Sequence, residues 1–322
     1  KTIMTTADAK KPGGSIQSLK ASRKLVRIEH ALMSMVGVAV GILLAFKAAP
    51  YLTSGDCMPS NPACSSFPSP LVWMLALAVP FFINLAAFAL NDYWDIEADK
   101  KNGRKERPLV SGALFPSVAV WTAVFGYAIG IAAGWLINPI CGIIATLFAL
   151  ASITYNYKLK DLPLIGNLYI AASMAIAFPF GAAALGISLR NLPAPILWLT
   201  LGAFLAGFAR ELVKSVQDME GDKAARNSKH LPILIGARPT LVLAGLSVIG
   251  FCASLLMLAS SPYIRWNILE LGLLALSGLA YLTIAFELLA GAPKAEQLEL
   301  IRKITLYALG LALLAMAIAA LM

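Results

Sequence analysis

Long apolar blocks, repeated along the whole chain, constrain its fold more than any other feature. About 20 consecutive apolar residues form a helix that crosses a bilayer while satisfying its own backbone hydrogen bonds, which few other structures can do in lipid. Nine such blocks are readable, over residues 26–48, 71–90, 117–136, 138–155, 164–187, 194–212, 239–260, 267–290 and 301–321. Of the 322 residues, 59% are hydrophobic and only 13% are charged, whereas a water-facing domain carries about 25% charged residues. The expectation is an all-α polytopic membrane protein: a basic tail over residues 1–24, then one domain of nine transmembrane helices over residues 25–322. The first block reads as a span and not as a cleavable leader, because a polar stretch precedes it and no small-residue cleavage pattern follows.

Charge placement orients that bundle. With nine spans, the N-terminal tail and the loops after spans 2, 4, 6 and 8 share one side, and 23 of the 26 Lys and Arg residues fall there. The other side keeps Lys47, Arg190 and Arg265. By the positive-inside rule the basic side is cytoplasmic, which puts the C-terminus outside, in a multi-pass protein of the cell membrane. The net charge of +9 suits an anionic inner leaflet and calls for no nucleic acid. Cys141 and Cys252 lie inside spans as small apolar packing residues. Cys57 and Cys64 share the loop after span 1 and, in an oxidising exterior, could close a disulfide. Gly126, Gly130 and Gly134 form a GxxxGxxxG ridge of the kind that lets helix backbones approach.

Two loops depart from this pattern, one after span 2 and one after span 6, both on the basic side. Of the 17 acidic residues, five fall within 92–106 and four within 211–222. On a helix, Asp92, Asp95 and Asp99 stand at i, i+3 and i+7 and share a face, as do Asp218 and Asp222 at i, i+4. Carboxylates so placed repel one another unless something positive sits between them. Oxygen-only donors select a hard cation, and Mg²⁺ is the usual one when phosphates complete its shell. His30 and His230 are the only histidines, which argues against a histidine-based centre. Arg104, Lys105 and Arg107 accompany the first loop, and Lys214, Lys223, Arg226 and Lys229 the second. Carboxylates for metal beside cations for oxyanions are what a diphosphate clamp needs.

The sequence Asn91-Asp92-x-x-Asp95-x-x-x-Asp99, followed by Arg107-Pro108-Leu109-Val110-Ser111-Gly112, resembles the first signature of the UbiA superfamily of membrane prenyltransferases. Asp218-x-x-x-Asp222, with Lys229-x-Leu231-Pro232 and Gly236 after it, is similar to the second. Tyr155-Asn156-Tyr157-Lys158-Leu159-Lys160 and the Arg210–Asp222 segment resemble the archaeal digeranylgeranylglyceryl phosphate synthase branch. Two departures stand out: one extra residue near Gly103 in the first signature, and Ser215 where that branch often has an acid. The resemblance implies transfer of a prenyl group from geranylgeranyl diphosphate to geranylgeranylglyceryl phosphate, with an aromatic acceptor of hydroxybenzoate or naphthoate type as the alternative. It further implies that Asp92, Asp95 and Asp99 hold one Mg²⁺ and Asp218 and Asp222 a second. Arg27, Asn91, Arg104, Arg107, Lys158, Lys214 and Lys229 would then bind the charged groups, and Tyr155 would shield the developing cation or position the acceptor. Lys158 and Lys160 are the expected cations for an acceptor phosphate. Replacing Asp92, Asp95, Asp218 or Asp222 by Ala is expected to abolish transfer and spare the fold, since no buried core is touched. A transporter or channel would instead carry charges near span midpoints, whereas these acids cluster at span ends.

Overall fold

The computed structural model describes residues 15–49, 67–101, 103–219, 231–291 and 293–322. Cys57, Cys64, Asp222 and Lys229 lie outside the described residues. Helices α1 (Ser15–Val26), α2 (Ile28–Ala48), α3 (Pro70–Trp94), α4 (Ile96–Lys101), α5 (Pro116–Ile137) and α6 (Pro139–Tyr157) make the first half. The second half holds α7 (Ile165–Ala175), α8 (Ala177–Ala184), α9 (Ala194–Gln217), α10 (Leu231–Ile235), α11 (Ala237–Ala259), α12 (Ile268–Ala290) and α13 (Ala295–Leu321). Eight of these helices are long and apolar enough to cross a membrane, and the bent pair α7–α8 makes a ninth span if counted as one. Several begin on proline at the first turn, where its missing N–H has no partner to lose.

The expected span over 164–187 is two helices meeting at 42°. Pro179 explains the break: its ring would collide with the carbonyl four residues back, and Ala175 is where α7 ends. The bend lays α8 flat against α2, and a Cβ on Gly181 would stand 2.5 Å from the Val38 carbonyl oxygen. The glycine ridge on α5 does pack, as its spacing implies. A Cβ on Gly126 would stand 2.8 Å from the Phe82 carbonyl oxygen of α3, so only hydrogen fits.

The packing order closes on itself. Helix α3 rests on α5 and α2, α9 on α7 and α11, and α13 touches both α9 and α2. Small buried residues such as Ala45, Ala76, Ala182 and Ala203 fill the inside, while Leu136 (72%) and Leu256 (70%) face outward. Large apolar side chains pointing away from the core mark a lipid-facing surface.

One sequence expectation needs redrawing. The segment expected as a tail to residue 24 is helical from Ser15, and Ala21 and Leu25 are buried against Ala89, Leu109, Leu114 and Ala119. Helix α1 thus clamps the loop after α4 onto the end of α3.

Candidate active site

A cavity of about 710 Å³ runs through the bundle, apolar along most of its depth and charged at the end where α3 and α9 terminate. Its apolar walls include Val38, Ile83, Phe148, Phe178, Trp198 and Met316. Its charged end carries Arg27, Arg104, Arg107, Lys160, Arg210, Lys214 and Arg302, with Asp95, Glu211 and Asp218 as the lining carboxylates.

The wall formed by α3 and α4 is a tight charge lattice. Asp92, 3% exposed, accepts from Arg27 Nη2 at 3.0 Å and Arg107 Nη1 at 2.8 Å, both on Oδ1. Its Oδ2 is buried and has no partner among the described residues. Asp99 accepts from Arg104 Nη1 at 3.1 Å, and its second oxygen lies 3.7 Å from Arg107 Nε. Asp95, the residue joining α3 to α4, accepts from Asn91 Nδ2 at 3.0 Å and from Lys160 Nζ at 2.5 Å.

Local folding explains how the arginines arrive. The loop after α4 turns at Gly103 and Gly112, both at positive φ, a conformation that costs glycine nothing. Leu109 and Leu114 then dive under α1, which swings Arg104 and Arg107 back to the aspartates. Arg27 sits at the break between α1 and α2 in the left-handed region, φ 44° and ψ 59°. A non-glycine residue there stores about 1–3 kcal/mol of strain, offset by the contacts its guanidinium makes with Asp92 and the Phe88 ring. Burial lowers the Arg27 pKa, and the Asp92 carboxylate opposes that shift.

The second wall belongs to α9. Arg210, Lys214 and Asp218 recur at i, i+4 and i+8, and all three line the cavity. Tyr155 stacks on Tyr169 with ring centroids 4.8 Å apart, and both line the cavity beside Asn156.

Most residues expected from the sequence therefore converge. Arg27, Asn91, Asp95, Arg104, Arg107, Tyr155, Lys214 and Asp218 line one cavity, with Asp92 and Asp99 immediately behind. Lys158 does not join them: it caps α6, is exposed and lies off the cavity lining. Lys160, two residues on, takes that place because the 3-10 turn Leu159–Asp161 swings it inward. Arg302 had no motif to announce it, being one cation in an amphipathic helix start, yet it reaches the same cavity from α13. The expectation that Asp92→Ala touches no buried element is corrected, since Asp92 is the buried centre of a three-residue lattice.

The donor set suits a hard divalent cation. All donors are carboxylate oxygens, Asp95 and Asp218 look into the cavity, and Asp92 Oδ2 is an unmatched buried acceptor. Among the described residues no three carboxylates converge to hold an ion by themselves. Mg²⁺ fits that shortfall, because it takes one or two carboxylates and fills its octahedron from phosphates and water.

Known proteins agree with this picture. The sequence profile described as the UbiA prenyltransferase family matches residues 62–304. Digeranylgeranylglyceryl phosphate synthase of Methanococcoides burtonii is 33% identical over 298 residues, 90% of this chain and 98% of that protein. A solved structure described as digeranylgeranylglyceryl phosphate synthase superposes with TM-score 0.71 at 26% identity, over 94% of this chain and 99% of the other. The structure of a UbiA homolog from Archaeoglobus fulgidus bound to DMAPP and Mg²⁺ has the same fold, with TM-score 0.57 at 19% identity over 91% and 99% of the two chains.

Proposed function

The chain belongs to the UbiA prenyltransferase family, and from that membership we propose that it transfers a prenyl group, with Mg²⁺, from geranylgeranyl diphosphate to the free hydroxyl of geranylgeranylglyceryl phosphate. The product is an ether lipid. The observation that carries this reading is one continuous cavity whose charged end matches a diphosphate and whose apolar depth matches a prenyl tail. Its size falls in the range of about 300–1,000 Å³ that small-molecule sites occupy. The name of the Methanococcoides burtonii relative supports the lipid phosphate acceptor.

The residues divide the work. Asp95 on one wall and Asp218 on the other, with Asp222 after it in sequence, would hold Mg²⁺ through one or two carboxylates each, while Asp92 and Asp99 stand behind Asp95 and hold Arg27, Arg104 and Arg107 in place. When bound, the metal neutralises diphosphate oxygens and eases their departure. Arg27, Arg104, Arg107 and Lys160 add charge-assisted hydrogen bonds that strengthen as the leaving group gathers charge. The C1–O bond breaks with its electron pair leaving on the diphosphate. The acceptor hydroxyl oxygen then closes on C1, and its proton passes to the departing diphosphate. The stacked faces of Tyr155 and Tyr169 border the place where positive charge develops. Because the tail arrives from lipid and not from water, moving it into an apolar groove gains little. Affinity rests on the headgroups, and the groove sorts chains by shape.

In this reading the charged end faces the cytoplasm, consistent with 23 of the 26 Lys and Arg residues lying on that side of a nine-span count. The test of function is the product. Purified protein given labelled geranylgeranyl diphosphate with each acceptor in turn is expected to form an ether-linked phospholipid. A C-prenylated hydroxybenzoate or naphthoate, with no ether product, would overturn the reading.

A further inference from the structure

The two charged walls of the cavity are not equivalent. On the α3–α4 wall each cation has a carboxylate oxygen within 3.1 Å: Arg27 and Arg107 on Asp92, Arg104 on Asp99, Lys160 on Asp95. On the opposing wall one carboxylate, Glu211, serves two cations at longer range, Lys214 at 3.7 Å and Arg210 at 3.9 Å. Arg302 of α13 forms no ion pair among the described residues. Its Nη1 donates to the neutral Gln217 amide oxygen at 2.7 Å, and Gln217 Nε2 in turn donates to the Ala295 carbonyl at 3.4 Å. That bridge ties the start of α13 to the end of α9 and holds Arg302 beside the Arg210–Lys214 face.

The Nε atoms of Arg210 and Arg302 are both buried, and neither has a hydrogen-bond partner among the described residues. Keeping a guanidinium N–H away from water without an acceptor is costly. Two such groups on neighbouring helices, lining one cavity, suit an anion that would accept from both. The α3–α4 cations are already committed to the aspartates and the diphosphate. A second anionic group in the same cavity needs cations of its own.

From this we infer that Arg210 and Arg302, with Lys214 beside them, bind the phosphate monoester of the lipid acceptor and so set the acceptor class. The inference deepens the function proposed above and rests on it. It moves the acceptor phosphate away from Lys158, which is exposed and off the cavity lining, and from Lys160, which is engaged by Asp95. Inorganic pyrophosphate released by the reaction presents similar oxygens, so the test must separate the two.

The experiment measures equilibrium binding to the detergent-solubilised full chain without prenyl diphosphate. The probes are geranylgeranylglyceryl phosphate, its dephosphorylated alcohol and inorganic pyrophosphate. Wild type is expected to hold the phosphate lipid about ten- to a hundredfold more tightly than the alcohol, the scale of a charge-assisted contact. Arg210→Gln and Arg302→Gln should each erode most of that preference and leave alcohol binding unchanged. Their affinity for geranylgeranyl diphosphate with Mg²⁺ should move less than threefold, and Arg302→Lys should recover part of the preference. Thermal melting of each variant identifies one that fails to fold, and Arg302→Lys then carries the comparison. The inference is overturned if the variants keep the wild-type preference for the phosphate lipid. It is also overturned if pyrophosphate binding alone falls, which would assign the pair to the leaving group. A wild type that makes ether product while the Arg variants bind acceptor normally refutes this inference only. A wild type that makes no ether product refutes the parent function, and this inference with it.

Discussion

Replacing Asp92 by Ala should damage the fold as well as the chemistry, and the size of the damage follows from its surroundings. Asp92 is 3% exposed, and the two arginines that meet on its Oδ1 are each 25% exposed. Removing the carboxylate leaves Arg27 and Arg107 facing each other with no counter-charge between them. Breaking a buried pair by deleting one partner costs about 3–5 kcal/mol. Here the arginines keep some water, and Arg107 retains the Asp99 oxygen at 3.7 Å, so a loss near the lower end, about 3 kcal/mol, is expected. Asp218 is the internal control, for it ends α9, lines the same cavity and forms no ion pair among the described residues. Asp218→Ala should therefore change stability by less than about 1 kcal/mol while still abolishing transfer. The measurement is denaturant-induced unfolding of both variants in one micelle composition, beside wild type. Adding Arg27→Gln to Asp92→Ala should recover part of the loss by removing one stranded charge. Equal stability of Asp92→Ala and Asp218→Ala, within about 0.5 kcal/mol, would refute the lattice argument.

Chelation should abolish prenyl transfer reversibly, with Mg²⁺ restoring it; full activity in EDTA would sink the metal assignment. Asp95→Asn and Asp218→Asn should be inactive though folded, because the amide keeps the shape and loses the charge that holds a hard cation. Lys160→Ala should raise the KM for the prenyl diphosphate about tenfold or more, whereas Lys158→Ala should leave both substrate KM values within about twofold; steady-state kinetics on the two variants decide it. Gly126→Leu should lower the melting temperature and the yield of folded protein. Its side chain must enter the α5–α3 contact, where even a Cβ would meet the Phe82 carbonyl oxygen at 2.8 Å, and overpacking of that kind costs about 1–3 kcal/mol.

The sequence alone settled what depends on neighbours along the chain. Span positions follow from the length of apolar runs, since a bilayer demands uninterrupted hydrogen-bonded helix, and nearly every predicted end falls within a few residues of an observed one. The acidic motifs were visible as well, because a metal-and-diphosphate chemistry needs carboxylates and cations at fixed local spacing. The glycine ridge on α5 showed its packing role for the same reason.

What the sequence left undecided depends on groups far apart in the chain. Pro179 is readable, but that it would fold α8 back onto α2 depends on the gap Gly181 leaves there. The basic segment before the first span has the composition of a loose tail, yet α1 is held by four apolar residues contributed from α3, α5 and the loop between them. Asp92, Asp95 and Asp99 share a spacing, and only the folded chain decides that two of them take arginines, from the α1–α2 break and the loop after α4, and the third a lysine from the turn after α6. Arg302 carries the same lesson furthest. One arginine among the cations of a helix start has no local signature, and it becomes part of a site only when α13 packs against α9 and Gln217 holds it there. Periodicity and motif are properties of the nearest few residues, whereas the charge balance inside a cavity is a sum over every helix that lines it.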